Sequence, residues 1–204
     1  MTLTDLEKLA LNRPPELLEL SANLVFADGD PDADLMLIGE APGADEDEQG
    51  LPFVGRAGQL LDQVLASVGI DRHSTYITNI VKFRPPGNRN PTTSELKASE
   101  GVLLEQIRLV NPQVIVPMGN VPSQYLLDTS DGITKLHGKW YEYQGIRVFP
   151  MFHPAYLLRN PSRTQGSPKW QMWQAAQELK RMLDGLGPKP ARAHVSSARQ
   201  QGLF

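Results

Sequence analysis

Strand-like runs recur at residues 35–38, 76–81, 114–117 and 148–152, and segments of helical periodicity fill the intervals between them. This alternation limits the chain to an α/β architecture, because short, largely apolar strands separated by helices pack best as a parallel sheet covered on both faces. Between the first two runs, Leu60, Leu61, Val64, Leu65 and Val68 recur at three- and four-residue spacing and stop at Gly69, a suitable helix terminator. Thr92 or Thr93 can cap a second crossover helix with Leu96, Val102, Leu103, Ile107 and Val110 facing inward, ended by Asn111-Pro112. A short helix follows over 121–127, then a hairpin over 140–149 turning at Gln144-Gly145, then an amphipathic helix over 170–183. The predicted fold is a three-layer α/β domain with a central, mostly parallel, four-stranded sheet flanked by helices.

With 204 residues and 40% hydrophobic content, the chain suffices for one core of ordinary size. That core is expected within residues 1–186. From 187 to 204 large apolar groups are few and acids are absent, which predicts a flexible tail. No apolar run approaches the roughly 20 residues that span a bilayer, and residues 1–8 carry acids without an apolar signal core. A soluble, cytoplasmic monomer without membrane contact is expected. The absence of cysteine excludes disulfides, thiolate nucleophiles and cysteine-held metal.

The net charge of −3 hides a segregation, since positions 14–55 contain no Lys or Arg while 28–48 hold nine acids. Two windows are basic and free of acids: 72–94 with Arg72, Lys82, Arg84 and Arg89, and 146–177 with Arg147, Arg159, Arg163 and Lys169. Both could face phosphates, although a solvated surface would have the same composition.

The first strand closes at Gly39 and feeds Glu40-Ala41-Pro42-Gly43-Ala44-Asp45-Glu46, followed by Pro52-Phe53-Val54-Gly55-Arg56. A glycine-rich loop at a strand end, carrying carboxylates and an aromatic, suits a planar ligand. Asn79 ends the next strand, and His153 follows the last core strand within His153-Pro154-Ala155. Taken singly, each has a plain structural alternative. Phe53 could be a core aromatic under a loop, Asn79 a turn cap, and Glu40 and Glu46 solvated loop charges.

Taken together and in order, Gly-Glu-Ala-Pro-Gly with Glu46, Pro52–Arg56, Thr78-Asn79-Ile80-Val81-Lys82, Arg84-Pro85-Pro86-Gly87-Asn88-Arg89 and His153-Pro154-Ala155 resemble the family 4 uracil-DNA glycosylases. The resemblance spans about residues 22–183 and implies the glycosylase fold, uracil-containing DNA as partner, and hydrolysis of the N-glycosidic bond of an extruded deoxyuridine. It also implies roles for individual residues. Phe53 stacks on the base, and the Asn79 amide reads the N3–H and O4 edge that cytosine reverses. Glu46 fills the space beside C5, against the thymine methyl. His153 donates to O2, and Glu40 orients water or offsets charge on the sugar, with backbone groups of Glu40 and Ala41 touching the base. Arg84, Arg89, Arg159, Arg163, Ser167 and Lys169 become phosphate candidates, and Tyr156, Leu157 or Leu158 a candidate wedge for the vacated stack. His73, His137 and His194 read as structural.

Two features depart from or extend the resemblance. Members of that family usually hold a four-iron cluster through four cysteines, and the corresponding positions here are Asn12, Pro15, Phe83 and Ser99. The expectation is a glycosylase without cluster or other metal, in which Phe83 substitutes by packing. The chain also ends in Gln200-Gln201-Gly202-Leu203-Phe204, and the spacing of Gln200, Leu203 and Phe204 is similar to short peptides that bind the bacterial sliding clamp. A tether of about 15 residues would reach roughly 20 Å. An enzyme of this kind would act on the nucleoid. The competing class is a non-catalytic damage-binding or clamp-associated protein; a third is a nucleoside or nucleotide hydrolase.

Overall fold

A computed structural model describes residues 1–189. The clamp-peptide candidates Gln200, Leu203 and Phe204, and also His194, lie outside the described residues. In chain order the elements are α1 (Leu3–Ala10), β1 (Asp28–Gly29), β2 (Leu35–Gly39), α2 (Ala44–Gln49), α3 (Arg56–Ser67), β3 (Thr75–Asn79) and α4 (Thr93–Val110). They continue with β4 (Val114–Pro117), α5 (Asn120–Leu127), α6 (Ile133–Leu136), β5 (Tyr141–Tyr143), β6 (Ile146–Val148), α7 (Pro154–Arg159) and α8 (Pro168–Asp184).

Local chemistry sets the helix ends. Thr92 caps α4 by accepting from the Glu95 amide, while the Glu95 carboxylate accepts from the Thr92 amide at 2.7 Å. Asn111, at φ 51°, closes the helix in the left-handed conformation before Pro112. Ser167 caps α8, whose first residue is Pro168, and Gly69 at φ 74° lies just past α3. Thr2 and Asp5 form the same reciprocal cap on α1, a helix that periodicity alone does not mark.

The strands form one sheet in the order β1-β3-β2-β4-β6-β5. The four inner strands are parallel, while β1 and β5 add antiparallel edges. The expected four-stranded sheet therefore has six strands. The hairpin supplies one extra strand, and two residues paired with Tyr76 and Ile77 supply the other. The last core strand also ends earlier than expected, at Val148, because Pro150 has no N–H to give to the ladder. Phe149 and Met151 still donate to Ile115 and Pro117, so the parallel path continues irregularly to His153.

Side chains of the inner strands alternate between two cores. Leu35, Leu37, Ile77, Val114 and Val116 pack under α3, α7 and α8, whereas Met36, Ile38, Tyr76 and Ile115 pack under α4 and α5. No helix among the described residues is long and apolar enough to cross a membrane. From β2 the chain crosses through α3 to β3 on one side, then returns through α4 to β4 on the other side. The reversal places a crevice at the C-terminal end of β2, where strands of an open α/β sheet present ligand-binding loops.

Candidate active site

Glycine at position 39 is what lets three elements converge in this crevice. Gly39 ends β2 and pairs in register with Asn79, the last residue of β3. A Cβ on Gly39 would collide with Asn79 Oδ1 and lie 2.7 Å from Cζ of Phe53. The Phe53 ring and the Asn79 amide thus meet over the bare strand end. The His153 ring lies next to Phe53, with centroids 5.7 Å apart and planes tilted by 33°. Gly119 opens the space beside it, since a Cβ there would come within 3.0 Å of His153 Cβ.

Asn79 is 3% exposed, yet its side-chain amide makes no hydrogen bond among the described residues. The amide atoms themselves stay open to solvent in the crevice, so an otherwise buried side chain offers a free donor and a free acceptor to a ligand. Its backbone is held from behind. Lys82, 2% exposed, donates to the carbonyl of Asn79 and, at 2.6 Å, to Thr78 Oγ1, which donates to the Phe26 carbonyl at 2.7 Å. Burial pushes the Lys82 amine well below its ordinary range. A lysine directly after the apolar pair Ile80-Val81 was the available signal for this network, but nothing in its spacing identifies the acceptors.

His153 occupies the N-cap of α7, with Pro154 at the first helical position. Its Nδ1 accepts from the Ala155 amide at 3.1 Å, which fixes the tautomer with the proton on Nε2. Burial pushes the imidazole down to about 4, helped by the positive charge of Arg159 and opposed by Glu46. Near neutral pH the ring is therefore an uncharged donor. His137, by contrast, stacks on Phe152 at 3.8 Å and accepts from the Phe152 amide, while His73 is exposed.

The two loop carboxylates differ. Glu40 is half-buried, and its carboxylate has no hydrogen-bond or ionic partner among the described residues; desolvation raises its pKa. Glu46 turns toward the backbone, accepting from Gly43 at 3.1 Å, Val54 at 3.0 Å and Gly55 at 2.9 Å. It closes the loop on itself. Ala41, partly buried beside Glu40, packs against the α4 side. Phe53 is 5% exposed and holds φ at +54°, a conformation non-glycine residues seldom adopt.

The basic candidates also separate. Arg89 forms a two-bond fork with Glu95 at 2.8 and 2.6 Å, which holds the carboxylate down at about 2 and compensates the arginine charge. Arg84 donates to Asn88 and lies 3.9 Å from Asp47. Arg159 and Arg163 are exposed and Lys169 is half-buried, and none forms an ion pair among the described residues. Among the wedge candidates Leu157 is buried and Tyr156 packs on Phe152, leaving Leu158 exposed at 36%.

The positions that would hold an iron–sulfur cluster do not fit one. Phe83 and Ser99 are buried, and Ser99 donates to the Glu95 carbonyl. Beside them the Arg13 guanidinium lies 5.0 Å over the Phe83 ring and donates to the carbonyls of Leu17, Leu20 and Ser21. No group of three or more potential ligands among the described residues could hold a metal ion. Arg13 carried no sequence signal, because its partners are backbone carbonyls.

Comparison with known proteins identifies relatives of this chain. Residues 26–180 match the sequence model of the uracil DNA glycosylase superfamily. The type-4 uracil-DNA glycosylase of Thermotoga maritima is 46% identical over 142 residues, covering 69% of this chain and 74% of that protein. The type-4 enzyme of Sulfurisphaera tokodaii is 41% identical over 156 residues, covering 72% and 71%. That of Archaeoglobus fulgidus is 39% identical over 157 residues, covering 73% and 79%.

Proposed function

This chain belongs to the uracil DNA glycosylase superfamily, and from that premise we propose that it excises uracil from DNA by hydrolysing the N-glycosidic bond of an extruded deoxyuridine. The observation that carries the reading is Asn79, a buried residue whose unpartnered amide opens into the crevice beside Gly39 and Phe53. Its Oδ1 accepts from uracil N3–H while its Nδ2 donates to O4, an edge that cytosine presents with donor and acceptor exchanged. Phe53 stacks on the ring. The loop fixed by Glu46 bounds the C5 side of the pocket and excludes a thymine methyl group.

As the bond from N1 to the sugar breaks, negative charge spreads onto O2. His153, neutral and with its proton on Nε2, donates there without the desolvation cost of an imidazolium. Glu40, ionised above its raised pKa, orients the attacking water and offsets positive charge on the sugar, and backbone groups of Glu40 and Ala41 contact the base. Water adds its hydroxyl to the sugar carbon and gives up a proton, the base leaves with its bonding electrons as an anion that takes up a proton to become uracil, and an abasic site remains. Arg159, Arg163 and Lys169, with Arg84 and more weakly Arg89, meet phosphates around the site. Leu158 fills the vacated stack.

In this proposal the enzyme works without an iron–sulfur cluster, and the Arg13–Phe83 contact takes over the fastening of the N-terminal segment. It acts as a cytoplasmic, nucleoid-associated monomer. Residues 1–186 form the catalytic domain, to which Gln113 and Lys189 also fasten residues 187–189, and the chain beyond serves as a tail whose Gln200, Leu203 and Phe204 dock on the sliding clamp. Incubation with a uracil-containing oligonucleotide followed by alkali tests the activity. Strand scission at the uracil is expected, whereas binding without scission would instead mark a non-catalytic damage-binding protein.

A further inference from the structure

We propose that Arg72 is a positioning residue for the reaction, holding the Pro52-Phe53 backbone in the turn from which the Phe53 ring faces the base. The inference rests on the stacking role given to Phe53 above. Arg72 lies in the basic stretch that composition alone would turn toward phosphates, but its side chain is only 16% exposed and points inward. Nη2 donates to the Pro52 carbonyl at 2.9 Å, and Nη1 to the Phe53 carbonyl at 3.3 Å. Asp62 on α3 and Asp28 on β1 fix the same two nitrogens at 2.8 and 3.1 Å.

The turn needs such a grip. Phe53 sits at φ +54°, where a bulky side chain crowds its own backbone, and it stays there only if its surroundings over-determine it. Its carbonyl also lies directly on α3, where a Cβ at Gly58 would collide with it. Two opposed contacts hold the segment. Arg72 takes the carbonyls of residues 52 and 53, while Glu46 takes the amides of Val54 and Gly55. Only a planar guanidinium can present parallel donors to two successive carbonyls and two carboxylates at once. A lysine ammonium keeps the charge but loses the fork.

The test uses Arg72→Lys in the full chain, with two readouts. Amide exchange at Val54 and Gly55 should accelerate about tenfold or more in the variant, while amides of β2 keep their protection and report an intact fold. On a uracil-containing oligonucleotide, kcat/KM should fall about tenfold in the otherwise natural chain, but less than about twofold in a Phe53→Ala background. Equal losses in both backgrounds, or unchanged exchange at Val54 and Gly55, would overturn the proposal. A Phe53→Ala enzyme that excises uracil at full rate would refute the stacking role instead, and the exchange readout would still decide whether Arg72 holds the turn.

Discussion

Replacing Arg13 with Met tests how the N-terminal segment is fastened in a chain without cysteines. The guanidinium lies 5.0 Å over Phe83, and Nη1 alone faces the carbonyls of Leu17, Leu20 and Ser21 at 3.3, 3.2 and 2.9 Å. One Nη1 carries two hydrogens, so the three acceptors share two charge-assisted bonds, worth together roughly 3 kcal/mol. The cation–π contact adds about 0.5–1 kcal/mol. Water reaching the half-buried carbonyls, and the apolar stem that Met retains, offset part of this, leaving a net loss of about 2 kcal/mol. For a domain of this size, that lowers Tm by roughly 4–8 °C. Urea unfolding should show a lower midpoint at unchanged slope, and Arg13→Lys should lose about half as much stability, because an ammonium keeps the charge and can still donate but lacks the planar face that lies over Phe83. A loss below about 0.5 kcal/mol for Arg13→Met would refute the reasoning. The segment would then be held by other contacts, such as the Ser21 and Val25 amides on the Arg84 and Lys82 carbonyls.

Three further outcomes are expected. Gly39→Ala should leave a folded protein destabilised by about 1–3 kcal/mol, with excision lowered at least about a hundredfold, because the new methyl displaces the Asn79 amide and the Phe53 ring; activity assays paired with thermal melts check this. Glu46→Ala should cost about 2 kcal/mol and speed proteolysis within residues 43–55, since three backbone amides lose their acceptor. The pH dependence follows from His137 and His153, both held down at about 4 by burial. Between pH 6.5 and 4 the unfolded chain binds protons that the folded chain refuses, so stability is complete above the ordinary histidine range and declines as pH falls through that window. Glu95, at about 2, extends the loss to lower pH. Melting curves across this range should flatten in a His137→Asn variant.

The inner strands were legible because β2 and β4 are apolar on both faces, and only a doubly covered sheet uses such strands. The edges were not. Two residues at Asp28–Gly29 carry no periodicity, and their strand character exists only through pairing with β3. The hairpin was recognised from its turn, although its place as an extension of the central sheet depends on β6 reaching β4. At the site, sequence order brought Gly39, Phe53, Asn79 and His153 into one hypothesis. What holds them and the neighbouring N-terminal segment was hidden, because Arg13 donates to backbone carbonyls alone and Arg72 and Lys82 direct half of their bonds there, to a group every residue possesses. Glu46 shows the same limit in part, since its three-residue spacing from Gly43 is that of a helix cap, whereas its spacing from Val54 and Gly55 says nothing of where its carboxylate turns.

Single-turnover excision on oligonucleotides carrying uracil, thymine or cytosine at one position, compared between the natural chain and Asn79→Ala, tests the central claim most directly. Alkali-labile abasic product is expected from the uracil strand alone, with a loss of about a hundredfold or more in the Asn79→Ala rate while the variant stays folded. An unchanged rate in Asn79→Ala, or equal cleavage at thymine and uracil, would contradict it.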